Sequence, residues 1–236
     1  MKILVLNGSP KEKSDTMVLT NAFLRGIKKT GEHEITVIDV INKKIAPCRG
    51  CFGCWQVCDG HCVIKDDEND ILDLYQKADL IIWSFPLYCY GMPSHIKAVL
   101  DRTIPLVQKK MEFVDGRTQH VARVDFSKIH TVVISGCGFP NWDHNFEALD
   151  RQCDLCFGNL TKIFVPETPL MNVPEAQVVA VPKAQAFEKA GELYAKTFSL
   201  SSEEIKKLED YIAKNKVRAS IGEAVKTMAV NSLISD

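Results

Sequence analysis

Cysteine supplies the first chemical signal in this chain. Five of its nine cysteines (Cys48, Cys51, Cys54, Cys58 and Cys62) fall within the single stretch PCRGCFGCWQVCDGHC, residues 47–62. The stretch opens as C-x2-C-x2-C. An iron–sulfur cluster needs four thiolates. Cys48, Cys51 and Cys54 could supply three, with Cys62 as the fourth ligand and Cys58 as its competitor. Zinc fits less well, because structural zinc sites usually join two separated C-x-x-C knuckles. Disulfides are disfavoured in a reducing compartment. Phe52 and Trp55 also give CFGCW the composition of a packed aromatic turn. Metal-free thiols, buried or at an interface, therefore stand ahead of the cluster on these residues alone. Cys153 and Cys156 form a further C-x-x-C pair inside a predicted helix and are expected in the core.

Three other stretches have the composition of ligand loops. In NGSPKEKSDT, residues 7–16, Gly8 and Pro10 shape a turn. The hydroxyls of Ser9, Ser14 and Thr16 then flank the start of a helix, where free backbone N–H groups and the helix dipole favour a phosphate. Lys11 could add a charge, and Ser14 also reads as a plain N-cap. Neither G-x-x-x-x-G-K-[ST] nor G-x-G-x-x-G is present, which argues against a nucleoside-triphosphatase loop and a tightly held dinucleotide. FPLYCYGMP, residues 85–93, brackets Tyr88, Tyr90 and Gly91 between prolines, a composition suited to a planar heterocycle that approaches the backbone. SGCGFPNWD, residues 135–143, turns tightly around Cys137 through Gly136 and Gly138.

The elements that must position these loops are legible from hydrophobic pattern. Continuous apolar runs at Ile3–Leu6, Ile35–Val40, Leu80–Phe85, Thr131–Ser135 and Ile163–Val165 read as five strands. Between them lie helical patterns: Leu19, Phe23 and Ile27 on one face, a short helix around residues 70–77, then residues 94–103 and 144–158. Strands apolar on both faces and separated by helices predict an α/β fold with a parallel sheet covered on both sides. Five such units suit a doubly wound fold with strand order 2-1-3-4-5. That order places the three loops at the carboxyl edge of the sheet, where such folds bind ligands.

Residues 1–175 are expected to form this domain. An insertion at 105–128 carries a hairpin signal at Asp115-Gly116, with an irregular surface loop as an equal alternative. Residues 176–236 read as a helical extension that packs on the domain or on a partner subunit. Within it, Ser201-x-x-Glu204 is a capping box ahead of a face formed by Ile205, Leu208 and Ile212.

Bulk composition narrows the functional classes. Lys plus Arg (29) nearly cancels Asp plus Glu (30), so no strong field draws nucleic acid or an anionic membrane. The apolar run at the N-terminus is too brief for a signal peptide, and no stretch approaches the ~20 apolar residues of a membrane span. The expectation is a cytoplasmic protein with no nucleic-acid or membrane partner.

Together, NGSPKEKSDT, PLYCYGMPSHIKAVLDR and SGCGFP resemble the NAD(P)H-dependent FMN reductase group of flavodoxin-like proteins. The cysteine stretch, followed by Asp66-Asp67, resembles its iron–sulfur flavoprotein branch. The resemblance covers about residues 1–165 and implies an FMN-dependent oxidoreductase. By it, Ser9, Lys11, Ser14 and Thr16 hold the FMN phosphate, with Met17 alongside. Pro86, Leu87, Tyr88, Tyr90 and Gly91 line the isoalloxazine and ribityl chain, and Gly136, Cys137 and Gly138 meet the other ring edge. Asp15 stands where the family often has Asn, and Lys11 where it usually has Arg, which gives up a bidentate fork.

The resemblance implies hydride transfer from NAD(P)H to flavin with no side-chain acid or base, so no catalytic residue is assigned. His61, His95, His120 and His144 read as surface or capping residues. The acceptor expected is a small molecule such as a quinone, flavin or nitro compound. An electron carrier with a 4Fe-4S cluster on the cysteine loop is the alternative, and a flavin-free binding module a second. The cysteine loop leaves the second strand at the same sheet edge, which predicts a homo-oligomer in which it approaches a neighbouring subunit's flavin.

Overall fold

A computed structural model describes residues 1–57 and 60–210; Cys58 and Ile212 lie outside the described residues. Five strands form one parallel sheet: β1 (Lys2–Asn7), β2 (Glu34–Asp39), β3 (Leu80–Pro86), β6 (His130–Gly136) and β7 (Leu160–Val165). Their order is β2-β1-β3-β6-β7, which is the doubly wound order expected once the inserted hairpin is set aside. Registers such as Val5↔Ile82 and Ile82↔Val132 align the strands so that their carboxyl ends, Asn7, Pro86 and Gly136, reach one edge together.

Side chains alternate between two cores, as strand geometry requires. Ile3, Val5, Ile82 and Ile134 face a core completed by α1 (Asp15–Lys28) and α5 (Gln177–Thr197). Leu4, Leu6, Ile81, Trp83 and Val133 face the other, under α2 (Glu68–Lys77), α3 (Ser94–Asp101) and α4 (Glu147–Cys156). Leu19, Phe23 and Ile27, the apolar stripe of α1, are fully buried.

The insertion is a hairpin of β4 (Val107–Val114) and β5 (Arg117–Ala122). Asp115 (φ 50°) and Gly116 (φ 80°) adopt the left-handed conformation that a tight two-residue turn demands. Helix α4 is shorter than its apolar pattern suggests. His144 takes φ 64°, and its N–H donates to Glu147 Oε1 at 2.5 Å, which starts the helix three residues later. Of the Cys153/Cys156 pair only Cys153 is buried; Cys156 is exposed because the helix ends there. The capping box at Ser201 and Glu204 opens α6 (Ser202–Glu209), and Glu209 accepts a hydrogen bond from Phe164 N at 2.9 Å. Among the described residues no helix is long and apolar enough to cross a membrane.

Two glycines set the contact between α1 and α5. A Cβ on Gly26 would lie 1.8 Å from Glu188 O, and one on Gly191 would lie 1.9 Å from Phe23 O. Each glycine thus receives the other helix's backbone, and no side chain can yield to make room. Gly26→Ala and Gly191→Ala are each expected to destabilise the fold by about 3 kcal/mol or more, read as a lowered denaturant midpoint. A wild-type midpoint for either variant would contradict this account of the crossing.

Candidate functional site

The first loop is held from several sides. Asn7, at the end of β1, donates to Asp39 Oδ1 at 2.8 Å and accepts from Ser9 N at 3.0 Å, which fixes the turn that follows. Gly8 N donates to Ser84 O, and Gly8 O receives His95 Nε2 at 2.7 Å from the start of α3. A Cβ on Gly8 would stand 2.9 Å from the Cβ atoms of both Ile96 and Phe85, so glycine lets the loop lie against α3 and β3. Ser14 caps α1 by accepting from Met17 N at 3.1 Å. Thr16 is buried two residues further on, and Thr20 Oγ1 meets Ser84 Oγ at 2.8 Å one turn beyond it.

Ser9, Lys11 and Thr16 share a cleft of about 100 Å³ with Pro86, Leu87, Tyr88, Gly136, Cys137 and Gly138. Three separate loops therefore meet at the N-terminus of α1. Of the expected residues, Ser14 is occupied in capping and Met17 packs beside the core. Tyr90 and Gly91 belong to a tight turn closed by reciprocal bonds between Tyr88 and Gly91, each 3.0 Å. Cys89 and Tyr90 both take positive φ in that turn, which presents the Tyr90 ring outward, parallel to Phe139 with centroids 6.3 Å apart.

Several amides near the cleft are engaged within the protein. Leu87 N donates to Gly136 O at 2.7 Å, and Cys137 N donates to Val165 O at 3.0 Å. The cleft is also lined by Asp15, Thr168 and Pro169, which sequence reasoning did not select. The last two follow the fifth strand, so its carboxyl-edge position was the available signal. Asp15 matters electrostatically: its Oδ2 lies 2.9 Å from Lys11 Nζ, and its Oδ1 accepts from Asn172 Nδ2 at 2.6 Å. Lys11 thus already has a carboxylate partner.

The cysteine loop forms a second centre. Cys48, Cys51, Cys54 and Cys62 line one small cavity together with Ile64, Ile104, Pro105 and Arg102. Among the described residues no set of three or more His, Cys, Asp or Glu side chains already stands at metal-binding geometry. The thiols are gathered around a common space without being closed onto it. Burial and the neighbouring Cys62, Cys51 and Cys48 push the Cys54 thiol up.

The loop is clamped at both ends. Asp67 Oδ2 accepts from Lys44 N (2.8 Å) and Asp66 Oδ2 from Ala46 N (2.9 Å), which pins the chain entering Cys48. Asn69 accepts from Cys62 N at 2.8 Å and donates to Cys62 O and Ile64 O, each at 3.2 Å. Phe52 stacks on Trp55 at 4.8 Å, as an aromatic turn predicts. The other side of Trp55 meets His120 of the hairpin, and its Nε1 donates to Val107 O at 2.9 Å.

The family model described as NADPH-dependent FMN reductase matches residues 1–139, more than half of the chain. The chain belongs to that family. Its match takes in the first two ligand loops, the cysteine loop and the hairpin, and ends inside the third loop. Curated relatives include iron–sulfur flavoproteins of Methanocaldococcus jannaschii (35% identical over 106 residues; 45% of this chain, 53% of that protein) and Methanosarcina thermophila (34% over 109 residues; 46% and 56%). The chain spans about half the length of these curated relatives.

Among solved structures, NAD(P)H:quinone oxidoreductase from Methanothermobacter marburgensis superposes with a TM-score of 0.59 at 17% identity, over 81% of this chain and 96% of that one. An FMN-dependent NADH-azoreductase from Bacillus anthracis, solved with FMN, gives 0.59 at 16% identity, over 82% and 99%. At such identities these two establish the shared fold.

One buried group beside the cysteine loop has a measurable signature in this member of the family. Glu68 is fully buried and neither carboxyl oxygen has a hydrogen-bond partner. Burial is the main cause that pushes its pKa up to about 8, opposed by the Arg102 charge and aided by Asp66. The folded state thus holds a proton that the unfolded chain releases near 4.5. Its contribution is complete below that pH and is lost as pH rises to about 8. Glu68→Gln removes this loss. Between about pH 5 and pH 8 the variant should gain on the order of 4 kcal/mol relative to wild type in denaturant unfolding. Parallel pH curves for the two proteins would refute the assignment.

Proposed function

We propose that the chain is an FMN-dependent NAD(P)H oxidoreductase that passes electrons to a small-molecule acceptor such as a quinone, flavin or nitro compound. The observation that carries this reading is the cleft at the N-terminus of α1, where buried hydroxyls meet a loop of ring-lining residues from β3 and a glycine-bounded turn from β6. FMN fits this donor set. Ser9 and Thr16 offer hydroxyls to a phosphate, assisted by the helix dipole, and Lys11 offers charge. Gly91 and Gly138 leave space beside the backbone, with at most a distant Pro169 atom in reach, so a ring can approach there. Pro86, Leu87 and Tyr88 form the wall against which it would lie, and Gly136 and Cys137 flank the opposite edge. Bound flavin would supply hydride acceptance from NAD(P)H; the protein's part is orientation and an open ring face.

A second reading concerns the cysteine loop. The iron–sulfur relatives and the convergence of Cys48, Cys51, Cys54 and Cys62 on one cavity favour a cluster there, with the protein moving single electrons between flavin and a partner. The donor set is right in number and type. Asn69, Asp66 and Asp67 fix the backbone that would present it. Assembly as a homo-oligomer, with this loop toward a neighbouring flavin, belongs to the same proposal.

Anaerobically purified protein, or protein supplied with FMN, should show two flavin bands that NADPH or NADH bleaches. A broad additional absorbance bleached by dithionite would accompany a cluster. Protein that binds no FMN would rule out the oxidoreductase. The Lys11–Asp15 pair yields a second expectation. A phosphate must compete with Asp15 for Lys11, so Asp15→Asn should tighten FMN about fivefold, roughly 1 kcal/mol. Riboflavin, which lacks the phosphate, should be unaffected. Equal effects on both flavins in a fluorescence titration would show that Asp15 does not act on the phosphate.

A further inference from the structure

Arg102 is the least expected group beside the four thiols. It is 1% exposed, on a residue type almost never fully buried without partners. It sits immediately after α3, and its guanidinium enters the wall of the cysteine cavity. Nη1 donates to Asp66 Oδ2 at 2.5 Å and to Ala46 O at 3.1 Å, and Nη2 donates to Ile64 O at 3.4 Å. Nε has no partner. Burial works against the charged form, but hydrogen bonding to Asp66 keeps the guanidinium protonated. Of the two acids beside it, Asp66 is held ionised by Arg102 and offsets part of its charge, while Glu68 is held neutral.

We propose that Arg102 is a positioning residue that sets the one-electron potential of an iron–sulfur centre on Cys48, Cys51, Cys54 and Cys62. The inference rests on the cluster reading above. Its physical basis is charge. A thiolate-bound centre gains one negative charge on reduction, with no bond made or broken and the electron supplied by reduced flavin. A fixed cation beside the centre favours the more negative state and so raises the potential. Asp66 orients the guanidinium and tempers its charge, and the unpartnered Nε leaves one buried donor uncommitted.

The role differs from simple packing. A structural arginine would be replaced with altered stability but unaltered redox behaviour. Arg102→Met removes the charge while keeping apolar bulk, and Arg102→Lys keeps a charge.

The test uses full-length protein, reconstituted anaerobically with iron and sulfide, with metal content measured and the cluster potential read by EPR-monitored titration against dithionite. Arg102→Met should load iron and sulfide as wild type does, with its potential lowered by about 59 mV, a tenfold shift in a one-electron equilibrium. Arg102→Lys should fall between the two. A loaded Arg102→Met protein with wild-type potential overturns the inference and leaves the cluster reading intact. Wild-type protein that takes up no iron and sulfide overturns both. If Arg102→Met fails to load, Asp66→Asn decides: loss of the counter-charge must raise the potential, and an unchanged or lowered value refutes the role of Arg102.

Discussion

The polar groups of the site are constrained by a sheet whose three central strands have no wet face. The three central strands are apolar on both sides, because helices cover both, and the only strand ends open to chemistry are at the carboxyl edge. Asn7 shows how abruptly the change occurs. One residue after the fully buried Leu6, its amide bonds both Asp39 and the Ser9 turn. The loops that leave β1, β3 and β6 have nowhere else to place hydroxyls, glycines and aromatic rings. Their convergence follows from the sheet.

Helix α3 connects the two centres. At its start His95 holds Gly8 O of the first loop and Ile96 packs against Gly8. At its end Arg102 enters the thiol cavity. An eight-residue helix is about 12 Å long, so the cleft and the cysteine cavity are two ends of one short rigid element. The hairpin joins the same arrangement through Trp55, which stacks on Phe52, meets the His120 ring and donates to Val107 O.

The fold was legible wherever hydrophobic period was strong. Five apolar runs became five strands in the expected order, and the Asp115-Gly116 turn placed the hairpin. Much of the first loop was legible too, because Ser14 and the stripe through Leu19, Phe23 and Ile27 mark a helix start. Partners remote in sequence were hidden. Nothing local announces that Arg102 ends beneath Cys62, that Asn172 reaches Asp15, or that Thr168 lines the cleft. Those contacts depend on how separate units of the α/β fold stack, which no period encodes. The exposure of Cys156 has a simpler cause: the helix ends there, short of the apolar pattern that extends to residue 158.

The Gly26–Gly191 crossing has a consequence for how the chain comes to be folded. Helix α1 carries the first loop at its N-terminus, yet the backbone it packs against belongs to α5, the last long helix described. During synthesis the strands β1 to β7 emerge before α5 does, so the apolar stripe of α1 waits without its cover. Contacts this remote in sequence form late and slowly. The end of the cleft at the start of α1 is encoded within the first sixteen residues, yet the helix behind it is covered by residues near the other end of the described chain. A nascent chain halted before α5 would expose Phe23 and Ile27, making it a substrate for chaperones before it could serve as a site for flavin.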